Sequence, residues 1–340
     1  VTVLREIKNS YVGPRIFRTS ITTTAGPSIS AGVGNDDYTS LTRSATGRFQ
    51  ATLKQPFRRV PITVAAIESA SLFGATVWQR AIPTTSVVDM QMGTAASTAT
   101  DATTSVLQLG YTSNQLGFSY PQPVEASIRR SRIIYARVAS AGTLNFGSGD
   151  ISVSKGGTGL YNLTFRNAFA VTPLIVPIAI STTGAFSAAV RAKSASSCTI
   201  ATGNGSGSAA DCAFYIAVVG QDIRDAHGGA NAIVESSQRR PRMIGFRVTG
   251  GVATVNPEEV SSIGTNGTGD FTVNLARPFA RECVALVSPI TTVGNCIKIQ
   301  VHTGGSSNVR IYCTDTGGGA ATGVDGYDGI LIGSDDVSEY

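Results

Sequence analysis

Histidine, charge and long apolar runs are all scarce in this chain. His227 and His302 are the two histidines among 340 residues, and neither stands at zinc-ligand spacing from the other or from a cysteine. No metal site is expected from them. Charged residues make up 14% of the sequence, against roughly 25% in ordinary soluble domains. A surface so poor in charge must be built from small neutral polar groups, and it gives little repulsion between copies. The net charge of +5 is mild and dispersed, so no nucleic-acid partner is expected. No apolar run approaches the roughly 18 residues of a membrane-crossing helix, so no membrane partner is expected either. The opening residues 1–8 lack the apolar core of a signal peptide.

Helical patterning is missing as well. No stretch keeps apolar residues at i, i+3 and i+4 for three turns, and glycines and β-branched residues interrupt each candidate. Cysteine is sparse, and its count of five is odd. Cys198 and Cys212 flank a Gly/Ser-rich stretch, and Cys296 and Cys313 flank a predicted hairpin over residues 297–312. The spacing leaves both disulfides and buried free thiols open. Cys283 stands where the related segments described below carry Pro61 and Pro173, and reads as a packing residue.

Enzyme signatures are wanting too. Gly203-Asn-Gly-Ser-Gly-Ser has no helix pattern after it, as a nucleophile elbow requires. Lys155-Gly-Gly-Thr-Gly puts the lysine before its glycines, the reverse of a phosphate loop, and a strand pattern follows. Asp315, Asp325, Asp328, Asp335 and Asp336 match no calcium loop and read as solubilising carboxylates. Asn162, Asn204 and Asn266 open glycosylation-type triplets of the kind chance supplies in a Ser/Thr-rich chain. No catalytic residue, cofactor or metal ligand is assigned, and the chain is read as a non-enzyme.

What the chain does have is a threefold internal repeat. Gly47-Arg-Phe-Gln-Ala-Thr-Leu-Lys-Gln-Pro-Phe57 is answered by Gly159-Leu-Tyr-Asn-Leu-Thr-Phe-Arg-Asn-Ala-Phe169 and by Gly269-Asp-Phe-Thr-Val-Asn-Leu-Ala-Arg-Pro-Phe279. The glycines lie 112 and 110 residues apart. Such a fixed period is the mark of a duplicated unit. An aliphatic run follows each Phe, behind Pro61 and Pro173 in two of the copies. An arginine (Arg15, Arg132 or Arg242) opens a strand-like run 32, 27 and 27 residues upstream of the three glycines. An apolar run closes on Gly110, Gly220 or Gly333, 63, 61 and 64 residues downstream.

Alternation of period two after each glycine marks strands with one buried face, as in Phe49, Ala51 and Leu53. The runs 62–67, 174–180 and 284–289 are continuously apolar and read as central strands. The fold expected is all-β: three tandem antiparallel β-sandwiches of about 110 residues. Their bounds are 15–120, 131–226 and 241–340, behind an N-terminal arm at 1–14. Basic triplets precede the second and third units, and Arg129, Arg130, Arg132, Arg239, Arg240 and Arg242 are candidate interface residues, with bidentate donors suited to a neighbour's carboxylates or carbonyls.

The unit resembles the H-type lectin domain of invertebrate agglutinins. The likeness rests on Arg137-Val-Ala-Ser-Ala-Gly142, on Phe165-Arg-Asn-Ala-Phe-Ala-Val-Thr-Pro-Leu-Ile-Val176, on its counterpart from Leu53 to Val64, and on Phe214-Tyr-Ile-Ala-Val-Val219. It implies a small antiparallel sandwich that trimerises readily. The same strand grammar resembles units of bacteriophage tail fibres, spikes and capsid decorations. Tandem copies, low charge and Gly/Ser/Thr loops fit that setting. The expectation is therefore a virion structural subunit that assembles as a homo-oligomer, a trimer, with other virion proteins. The alternative is an extracellular lectin or adhesin that binds host surface glycans.

Overall fold

A computed structural model describes residues 15–22, 28–29, 38–54, 56–57, 60–68, 76–80, 84–94, 100–110, 131–181, 186–221, 242–249, 252–255, 259–290, 298–314 and 326–334. Every element in these residues is a strand. The first third of the chain contributes β1 (Arg15–Thr22), β2 (Ser28–Ile29), β3 (Tyr38–Ala45), β4 (Arg48–Leu53), β5 (Ile62–Glu68), β6 (Thr76–Gln79), β7 (Val87–Gly93) and β8 (Thr103–Gly110). The middle third follows with β9 (Ser131–Val138), β10 (Leu144–Gly147), β11 (Ile151–Gly157), β12 (Leu160–Phe165), β13 (Leu174–Ile180), β14 (Phe186–Lys193), β15 (Ser197–Asn204) and β16 (Ala213–Gln221). The last third adds β17 (Arg242–Thr249), β18 (Val252–Val255), β19 (Val260–Gly267), β20 (Asp270–Leu275), β21 (Val284–Ile290), β22 (Lys298–Gly304), β23 (Asn308–Thr314) and β24 (Gly326–Gly333).

These strands form three eight-stranded sheets, and each sheet takes four strands from one third and four from another. The orders are β11-β12-β15-β14-β5-β8-β1-β2, β10-β9-β16-β13-β22-β23-β20-β19 and β18-β17-β24-β21-β6-β7-β4-β3. Within a third all pairings are antiparallel. Between thirds the joint is a single parallel bridge: Glu68 with Val190, Ile180 with Val301, and Ile290 with Gln79. The three joints run first to middle, middle to last, and last back to first, so the pairing closes into a ring.

The ring explains the continuously apolar strands. In β4 burial alternates, because one face meets the core and the other meets water. In β5 and β13 the first six residues are all buried, and in β21 all seven. Ala65 and Ile67 of β5 face the first third's own core, with Phe49, Leu53, Met90 and Val106. Ile62, Val64 and Ala66 face the other way, into a cluster shared with Leu174 and Val176 of the middle third and Ile244 and Leu286 of the last. A strand covered on both faces keeps no polar side. At about 1.5–3 kcal/mol for each fully buried large aliphatic side chain, this shared centre is a major source of cohesion.

The segments holding Arg129, Arg130, Arg239 and Arg240, and the arm at 1–14, lie outside the described residues.

Candidate functional site

Three of the repeat landmarks, the opening Arg, the Phe and the closing Gly, meet in one place in each of the two thirds where all three are described. In the middle third Arg132 pairs across the ladder with Gly220. The ring of Phe169 packs against Gly220, so that a Cβ added there would lie 2.7 Å from its Cε1. The Arg132 guanidinium caps the ring, 4.0 Å from its centroid, and donates a hydrogen bond to the Asn167 carbonyl. Phe165 meets the ring edge-on, with centroids 5.3 Å apart. The last third repeats the arrangement: Arg242 opposite Gly333, Phe279 between them, the guanidinium 4.1 Å from the ring centre and donating to the Arg277 carbonyl at 2.6 Å. Stacking of this kind contributes about 0.5–2 kcal/mol, on top of the ring's own burial. Phe57, Phe169 and Phe279 are all buried, and the backbone N–H of each donates to a loop carbonyl, of Thr85, Ala195 and Ser306 respectively.

The signature glycines sit at the hairpin turns before β4, β12 and β20. Gly47, Gly159 and Gly269 have φ of 66°, 65° and 70°, the left-handed region that side chains disfavour. They are also packed against backbone: a Cβ on Gly47 would lie 2.7 Å from the Met92 carbonyl oxygen, and one on Gly159 2.9 Å from the Ala210 nitrogen. Two carboxylates complete this feature without having stood out in the sequence. Asp101 Oδ1 accepts the Gly47 N–H at 2.8 Å, and Asp211 Oδ1 accepts that of Gly159 at 2.7 Å. Each also pairs with a cation, Arg43 at 2.7 Å and Lys155 at 2.6 Å. The Gly159 amide, and then Lys155, hold the Asp211 carboxyl below its ordinary range. The available signal was the 110-residue spacing of the two aspartates, within two residues of the 112 that separate Gly47 from Gly159.

Pro61 and Pro173 are buried at the entrances to β5 and β13. Cys283 holds the matching place before β21, fully buried, with its Sγ 3.5 Å from the Gly305 carbonyl. Cys198, Cys212, Cys283 and Cys313 are free thiols, and burial pushes each up to about 12.

Each of the three seams between thirds carries a buried or half-buried ion pair, and each is built differently. At the last-to-first seam Arg247 grips Asp328 through Nε and Nη2, at 2.6 and 2.7 Å. Asp328 also accepts the Thr63 N–H at 2.9 Å and the Gln79 side-chain amide at 3.1 Å, while Arg247 reaches the Pro61 carbonyl at 2.8 Å. The pair is almost completely sealed from solvent. Burial pushes the Asp328 carboxyl up, against the pull of Arg247 and its donors. The solubilising role expected of Asp328 is thus replaced by a structural one, because its partners arrive from a distant part of the chain. At the middle-to-last seam Arg137 donates to Glu282 at 2.9 Å, and the Tyr215 hydroxyl donates to the same carboxylate. At the first-to-middle seam Lys193 pairs with Glu68 at 2.6 Å, and Ser105 donates to Glu68.

Arg137 and Arg247 occupy equivalent positions in β9 and β17, and each reaches into the following third. The ion pairs Arg137–Glu282 and Lys193–Glu68 cross their seams, so exchanging the thirds would part each from its partner. Arg247 and Asp328 both belong to the last third, and reach the first through Thr63, Gln79 and Pro61. Among the described residues no group of three or more His, Cys, Asp or Glu is arranged to hold a metal ion. No helix among them is long and apolar enough to cross a membrane. Compared with protein-family models, curated proteins and solved structures, the chain finds no match in any of the three.

Proposed function

We propose that the chain is a non-enzymatic structural subunit of a virion, a bacteriophage fibre, spike or capsid-decoration part, built from three tandem antiparallel β-sandwiches of one repeated unit. In each sandwich one layer corresponds to β2-β1-β8-β5 of the first third and the other to β3-β4-β7-β6. The observation that carries the reading is the closed ring of three strand bridges around a shared apolar centre. Three separate copies of one unit would form the same heterologous ring. Joining them in one chain removes the concentration dependence of that assembly and lets each seam be specialised. Such a three-lobed block suits a permanent part of a larger particle, and its partners are other virion proteins and further copies of itself.

Contacts outside the ring would be made largely by neutral polar groups, since Leu144 is the one large hydrophobic exposed among the described residues. The alternative, an extracellular carbohydrate-binding lectin or adhesin, draws on one observation, the surface cleft described in the next section. The test is the composition and imaging of the particle that contains the chain. A stoichiometric place in it, with an interface above about 2,000 Å² per contact, is expected of a permanent subunit. A chain that sediments as a monomer at all concentrations, with no particle partner, would overturn the structural reading.

A further inference from the structure

The pseudo-equivalence of the thirds exposes a difference on their outer sheets. Directly after the signature glycine the first third carries Arg48 and the last carries Asp270. Arg48 pairs across β4 and β7 with Asp89 at 2.6 Å. Asp270 accepts Arg310 Nε at 2.8 Å across β20 and β23. The ion pair is the same and its polarity is reversed. In the middle third the corresponding residues are Leu160 and Thr199, given by the registers Leu160–Ala201, Arg48–Gln91 and Asp270–Tyr312. No ion pair can form there.

A second gap adds to the first. Three residues before the signature glycine stand Ser44 and, in the last third, Asn266, whose amide donates to Asp270 and to Thr272. The middle third has Gly156 at that position. The space left open is a shallow, open cleft of about 300 Å³ on the outer sheet, lined by Gly156, Leu160, Asn162, Arg191, Ala192 and Thr199.

The lining is chemically specific. Arg191 is exposed at the rim, and a guanidinium has five donors, so it can serve the protein and a ligand carboxylate at once. The Asn162 Oδ1 is engaged by the Thr199 hydroxyl at 3.0 Å, which turns the Nδ2 donor toward Gly156. Half-buried Leu160 and exposed Ala192 supply the apolar part of the lining. A carboxylate, a row of hydroxyls and one C–H face are the features of an acidic sugar ring.

We propose that this cleft binds an acidic monosaccharide unit, a hexuronate, with its carboxylate on Arg191, its hydroxyls on Asn162 and Thr199, and its C–H face on Leu160. The inference does not rest on the structural-subunit reading. Failure to bind leaves the ring and its seams untouched, and failure of the particle test leaves the cleft as it is.

Titration of the full chain with galacturonate, galactose and acetate, followed by NMR or calorimetry, tests it. Galacturonate is expected to bind, with galactose and acetate each at least tenfold weaker. Arg191→Gln should weaken galacturonate roughly tenfold to a hundredfold, the range for a lost charge-assisted contact. The paired change Leu160→Asp with Thr199→Arg copies the ion pair of the last third and should abolish binding while the melting temperature holds. No galacturonate binding, equal binding of galactose or acetate, or binding unaffected by either variant, would overturn the proposal.

Discussion

Gly220→Ala is the sharpest probe of why the repeat landmarks keep their spacing. The new Cβ would sit 2.7 Å from Cε1 and 2.9 Å from Cγ of Phe169, distances that packed carbons do not tolerate. The ring is hemmed in, with Arg132 stacked over its face and Phe165 set edge-to-face against it. The strain must therefore pass to the backbone of β9 or β16. Overpacking of this kind costs about 1–3 kcal/mol, and this site belongs at the upper end. At about 2–4 °C per kcal/mol, the melting temperature should fall by roughly 4–12 °C.

Phe169→Ala alone should cost about 3–5 kcal/mol through the cavity it leaves. In the double variant the added methyl enters that cavity. The combined loss should therefore fall short of the sum by about 1 kcal/mol or more. Urea unfolding of the four proteins gives the cycle. Gly264→Ala is the control, because its Cβ would meet only Thr272 at an ordinary 3.7 Å; it should change stability by less than about 0.5 kcal/mol or raise it slightly. A Gly220→Ala protein as stable as this control, or strictly additive losses, would refute the stacked arrangement.

Further outcomes follow from the seams, thiols and turns. Asp328→Ala leaves the buried Arg247 without its carboxylate and should cost about 3–5 kcal/mol, whereas Arg43→Ala at its part-exposed pair should leave the urea midpoint nearly unchanged; equal shifts in urea melts would contradict the burial difference. Cys198, Cys212, Cys283 and Cys313, held as neutral thiols, should resist iodoacetamide at pH 8 in the folded protein, and all five cysteines should react in guanidinium; rapid native labelling of those four would argue against their burial. Asp211 has a folded pKa lowered from 3.8, so its stabilising effect is present above that value and is lost as pH falls through the lowered one. The melting temperatures of the parent and Asp211→Asn should accordingly converge as pH drops below 3.8, and a gap that stays constant would refute the Gly159 contact.

Alternation and apolar runs are local properties, and so the sequence determined the strands and the all-β class. It likewise set the landmark residues: Arg132, Phe169 and Gly220 keep their spacing because one ring must fit between one guanidinium and one bare backbone. The signature glycines were legible for the same reason, since a left-handed turn writes itself into a single residue type. Asp101 and Asp211 carry no local mark, because an aspartate that accepts a turn amide looks like any loop aspartate. The burial of Asp328 is not legible either, because its donors include Thr63 and Gln79, 265 and 249 residues away.

Tertiary structure alone decided that each sheet is shared between two thirds. The bridges Glu68–Val190, Ile180–Val301 and Ile290–Gln79 are single backbone pairings, and backbone carries no side-chain signature. The continuously apolar β5, β13 and β21 did signal strands buried on both faces. What covers the second face is set by how the three units meet, and that depends on long-range packing rather than on any local pattern.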